Sequence, residues 1–160
     1  MKMSKSKINY AGLKISFALM LALLVVPAYV VAPVLFSELD SALAGLIAGK
    51  VFHVSNLAVL ILAVAAGLFC KRIEAAKATW YLLIAVTVMV AVNAFGVSHM
   101  MALIKTEAGD ISALTHENPL RWAFSFWHGF GSILQLISSV LMVILVMKGQ
   151  CPRPKDKAAA

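Results

Sequence analysis

The sequence predicts an all-α polytopic membrane protein, a four-transmembrane-helix bundle, and three observations carry that expectation. Of the 160 residues, 62% are hydrophobic and only 13% charged, where an ordinary soluble domain is about 45–50% apolar and about 25% charged. The 14 Lys and Arg and 7 Asp and Glu residues are too few to coat a soluble globule, and they gather between long apolar runs. Four such runs, at 15–35, 51–70, 79–104 and 122–147, are long enough to cross a bilayer, because about 20 helical residues span a hydrocarbon core of roughly 30 Å. Helices are required because lipid offers no partner to an unpaired backbone N–H or C=O.

The helices are expected at about 12–36, 41–70, 78–104 and 119–148, with 1–160 forming a single integral membrane domain. In the first, Val26-Pro27-Ala28 resembles a signal-peptide cleavage site, but the apolar stretch runs on past it to Leu35, so the segment reads as an uncleaved span. Pro27 and Pro33 each remove a helical hydrogen bond and predict a bent or broken second half of that helix. Asn118 followed by Pro119 is an N-cap and first-turn pair that starts the fourth helix. Trp80, Tyr81, Trp122 and Trp127 sit near helix ends, where aromatic side chains mark the membrane interface.

Charge sets the orientation. Lys2, Lys5, Lys7 and Lys14 make the N-terminal flank +4, Lys71, Arg72 and Lys77 against Glu74 make the second loop +2, and Lys148, Arg153, Lys155 and Lys157 against Asp156 make the C-terminal flank +3. The first and third loops each total −1. Positive flanks stay inside, which predicts cytoplasmic N- and C-termini, a bacterial inner-membrane location, and Cys70 and Cys151 in a reducing compartment. With the basic residues explained by orientation, nucleic acid is not an expected partner. The bilayer is, together with a homo-oligomer or another membrane protein.

Polar residues inside apolar helices must be paired or face a wet cavity. At 100° per residue, Arg121, Ser125, His128, Ser132, Gln135 and Ser139 share one narrow face of the fourth helix, a polar ladder expected to face the other helices or a wet cavity. Gly45, Gly49, His53, Asn56, Ala63 and Gly67 share a face of the second, where Gly45 and Gly49 form a GxxxG read as helix packing within the chain in preference to dimerisation. Asn93 in the third helix pairs with Asn56 or the ladder, or lines a solute path with Thr87.

Counted from the basic anchors at 1.5 Å per residue, His53, His99 and His128 lie at heights of about 27, 33 and 30 Å, one outer level on three helices. His116 stands in the adjoining loop. Imidazole is the commonest metal ligand, so the three residues form a candidate metal or haem site. For haem b, His53 and His128 would be opposed axial ligands. The same residues also fit a third reading, hydrogen-bonded packing groups. No HExxH, CxxCH, GxSxG or P-loop spacing occurs, so no catalytic residues are expected and the chain reads as a non-enzyme. The functional expectations are therefore a module handling a metal ion or small polar solute at an outward polar interface, a haem-binding membrane cytochrome, or a scaffold or accessory subunit of a membrane complex.

The strings VAPVLF at 31–36, LAGLIAGKVF at 43–52, FWHGFGS at 126–132 and ILQL at 133–136 resemble the bacterial branch of the transmembrane protein 205 family, a domain of unknown function. The resemblance implies a four-helix membrane protein with no established biochemical activity. It maps the His-Gly pair of the family's last helix onto His128 and Gly129, while Gly131 and Gln135 depart from the small hydroxyl residue and Asn expected there.

Overall fold

A computed structural model describes residues 5–109, 111–115 and 117–148. Asp110, His116 and Cys151 lie outside the described residues. The described chain forms six α-helices: α1 (Lys5–Val26), α2 (Ala32–Glu38), α3 (Ser41–Arg72), α4 (Lys77–Ala91), α5 (Ser98–Ala108) and α6 (Pro119–Lys148). Wide π turns, Pro27–Val31 and Val92–Val97, join α1 to α2 and α4 to α5. The result is four continuous helical rods, each long and apolar enough to cross a membrane. The protein is a multi-pass membrane protein. Spans 1 to 4 denote α1–α2, α3, α4–α5 and α6.

Local chemistry sets the ends. Asp40 caps α3, its carboxylate accepting from the backbone N–H of Ala42 at 3.1 Å and Leu43 at 2.9 Å. Asn118 accepts from Leu120 N–H at 2.9 Å, and Pro119 occupies the first turn of α6. Lys71 and Arg72 close α3, where cations favour the helix C-terminus.

The prolines widen span 1 without breaking it. Pro27 opens a π turn, and Ala32 N–H reaches back five residues to the Pro27 carbonyl before helix resumes to Glu38. The second π turn, in span 3, contains no proline. Both the backbone N–H and the hydroxyl of Ser98 donate to the Asn93 carbonyl, the latter at 3.0 Å, holding the extra residue in the turn.

The spans pack as a ring. Span 1 contacts spans 2 and 4, and span 3 contacts spans 2 and 4, which leaves spans 2 and 4 across a diagonal. Leu13, Phe17, Met20 and Leu24 of span 1, Val59 and Ala66 of span 2, Val86 and Val90 of span 3, and Met142 and Leu145 of span 4 form the buried core. Outside it, large apolar side chains such as Ile61, Val64 and Tyr81 stand about 70% exposed, the inverse of a soluble protein and what a bilayer accepts.

A glycine does set a close approach of spans 1 and 2, but not one of the expected pair: a Cβ on Gly12 would lie 2.6 Å from Phe69 Cζ. Ala44 and Ala48 are buried, whereas a methyl group added to Gly45 would just touch Phe36 at 3.9 Å and one on Gly49 would meet nothing. The reading of Gly45 and Gly49 as a packing motif within the chain is therefore corrected. Each lies one position past the inward-facing alanine, on the flank of the packed face.

Candidate functional site

Two polar constellations emerge, one at mid-bundle and one on a lateral face. At mid-bundle, Gln135 is 6% exposed, and its amide joins three spans. Its Nε2 donates to the Leu24 carbonyl at 2.8 Å, and its Oε1 accepts from Asn93 Nδ2 at 3.3 Å. Asn93 Nδ2 also reaches the Gly131 carbonyl at 3.5 Å. Leu24 stands three residues before Pro27, so the Gln135 amide meets span 1 just ahead of its π turn. Gly131 is small for a reason visible in the packing, since a Cβ there would lie 3.0 Å from Val97 Cγ1 and 3.1 Å from Asn93 Oδ1.

The ladder of α6 divides at this level. Gln135 and Ser139 are buried, as expected, but Ser125, His128 and Ser132 are exposed. The expectation that the whole ladder faces the bundle is corrected. The buried face, through Gly131, Gln135, Ser138, Met142 and Leu145, is rotated from the ladder. The serines need no neighbour, because Ser125 donates to the Arg121 carbonyl at 3.0 Å, Ser132 to that of His128 at 2.9 Å, and Ser139 to that of Gln135 at 2.8 Å. Thr87 likewise donates to the Leu83 carbonyl at 2.7 Å.

Asn56, in span 2, is 2% exposed, and its Oδ1 has no hydrogen-bond partner among the described residues. The expected Asn56–Asn93 pair is absent, because Asn93 is engaged by span 4 instead. An unpaired buried acceptor costs about 1–3 kcal/mol. Asn56→Thr should therefore leave thermal stability unchanged or raise it by about 1 kcal/mol, because a helical threonine of similar size bonds back to its own backbone. Thermal unfolding in detergent checks this, and a drop of the size of a lost hydrogen bond would show that the oxygen is paired.

The second constellation is a groove of about 350 Å³ between spans 2 and 3, lined by His53, Ala94, Phe95, Ser98, His99 and Ala102. His53 and His99 are both exposed at its surface. The π turn contributes here, since Ala94 and Phe95 belong to it and Ser98 and His99 follow it directly. An extra residue in one turn shifts every later side chain around the helix axis, so this turn helps set the face on which His99 stands.

His128 lies elsewhere. Its exposed ring stacks on Phe124 with centroids 6.1 Å apart and planes at 8°, and the same Phe124 ring takes Lys105 Nζ at 5.6 Å. Among the described residues no three His, Cys, Asp or Glu side chains come together as a metal-holding group. The expected convergence of His53, His99 and His128 is thus reduced to the pair His53 and His99. The opposed His53 and His128 drawn for haem are not formed either, since spans 2 and 4 are diagonal and both rings point outward.

Comparison with known families places this arrangement. A domain of unknown function, DUF4149, matches residues 15–110, more than half of the chain. The chain belongs to the DUF4149 family. The DUF4149 match contains every residue of the histidine groove, both π turns, Asn56 and Asn93, and ends before span 4 with Gln135 and His128. No curated protein and no solved structure shows a significant match to the chain.

Proposed function

We propose that this DUF4149 protein is a non-enzymatic module of the bacterial inner membrane that binds a transition-metal ion at the groove between His53 and His99. The carrying observation is that two imidazoles from different spans line one groove together with Ser98. Neutral imidazole suits zinc, copper and nickel, and two protein ligands leave positions open for water, the arrangement of an exchangeable rather than a structural site. The charge balance of the loops supports a cytoplasmic basic end with the groove toward the other side. The resemblance to the transmembrane protein 205 family supports a four-helix membrane architecture and adds no competing activity.

Titration calorimetry of the purified full chain with Cu(II) and Zn(II) tests this. His53→Ala and His99→Ala should each weaken binding by at least the tenfold or so that loss of an outer-shell partner costs, and His128→Ala should leave it unchanged. Binding should also weaken on acidification, because a protonated imidazole has no lone pair for the metal. Failure of the wild-type protein to bind either ion, or loss of binding only with His128→Ala, would overturn the proposal.

A further inference from the structure

A second groove, of about 280 Å³, runs between spans 2 and 3 nearer their joining loop. It extends from Gly67 and Trp80 at the loop end to Val64 and Val88 further along the outer face of the two spans. Its surface is hydrocarbon in character, since Thr87, its one hydroxyl residue, has its proton committed to the Leu83 carbonyl. A groove of this kind on a membrane-spanning face meets acyl chains before anything else. Gly67 faces the Trp80 ring across it, and a Cβ there would lie in van der Waals contact with that ring at 3.8 Å, so a larger side chain would fill the groove.

The residues beyond its loop end decide which lipid it takes. Lys71 follows Gly67 by four residues and Lys77 precedes Trp80 by three, so both stand about one helical turn past the groove, with Arg72 beside them. All three are exposed, and with Glu74 they leave the loop at +2. An acyl chain lying along Trp80 and Gly67 therefore brings its phosphate to a cluster of Lys and Arg, the arrangement in which basic residues between membrane helices hold anionic headgroups. We infer that this groove is a binding site for an anionic phospholipid, one chain between spans 2 and 3 and the headgroup on Lys71, Arg72 and Lys77.

Trp80 is a built-in reporter. In a background carrying Trp122→Phe and Trp127→Phe, the protein is reconstituted into phosphatidylcholine vesicles containing a minor fraction of dibrominated phosphatidylglycerol or, in parallel, dibrominated phosphatidylcholine. Bromine quenches only a nearby indole. The anionic lipid should win the site by about fivefold or more, the effect of a single basic residue near an anionic surface. Lys71→Gln, Arg72→Gln and Lys77→Gln combined should abolish the preference while Trp80 is still quenched equally by both lipids, and Gly67→Leu should reduce quenching by both. Equal quenching by the two headgroups in the parent, or a preference surviving the triple substitution, would overturn the inference. The triple variant changes only exposed positions outside the core, so the test does not depend on the groove-filling variant folding.

Discussion

Gln135→Met should destabilise the bundle by about 1–3 kcal/mol, the sum of two interhelical hydrogen bonds worth about 0.6–1.7 kcal/mol each in membranes. Methionine matches the volume of glutamine, so the loss is polar rather than a cavity. It removes the donor to the Leu24 carbonyl and the acceptor for Asn93 at once. Asn93→Leu should be non-additive with it, because the two side chains share one bond. Leu136→Met, on the exposed face one residue along, should be silent. Thermal unfolding in detergent reads the parent, the three single variants and the double variant, and a Gln135→Met variant as stable as the parent would contradict the polar junction.

Gly131→Val should cost more, about 2–5 kcal/mol. The first added carbon already lies 3.0 Å from Val97 Cγ1 and 3.1 Å from Asn93 Oδ1, and overpacking a filled site costs about 1–3 kcal/mol before any hydrogen bond is lost. Val97 is 2% exposed and has little room to retreat. The carbon that strikes Asn93 also pushes its amide off Gln135, adding about 0.6–1.7 kcal/mol. Gly131→Ala would blur the result, because alanine gains about 1 kcal/mol of helix propensity over glycine. Gly129→Ala is the control, since nothing lies within 4 Å of its Cβ and only the propensity gain remains. Equal tolerance of Gly131→Val and Gly129→Ala in the same assay would contradict the close approach of spans 3 and 4.

The four spans were legible because length and apolar content answer directly to bilayer thickness, and the Asn118-Pro119 start because a cap and a fixed φ are local chemistry. Asp40 was equally local, an N-cap two residues after Glu38, and could have been read the same way. What the sequence hid was rotation. The ladder reading assumed that a polar side chain needs a partner outside its own helix, while Ser125, Ser132 and Ser139 all bond to the carbonyl four residues back. Rotation in span 3 also depends on the turn at Val92–Val97, a π turn without proline just before His99. The available hint was Asn93, Gly96 and Ser98 within one turn of an otherwise apolar helix. Height along the membrane, by contrast, depends only on rise per residue, and it anticipated that His53 and His99 stand at neighbouring levels. It could not say which helices are adjacent, so it grouped His128 with them across the diagonal of the ring.

Electron paramagnetic resonance of the protein loaded with one equivalent of Cu(II) bears most directly on the claim that the groove is a two-imidazole site. The account predicts hyperfine structure from two imidazole nitrogens, altered by either His53→Ala or His99→Ala and identical to the parent in His128→Ala. A spectrum indifferent to His53 and His99, or one that changes with His128 alone, would contradict it.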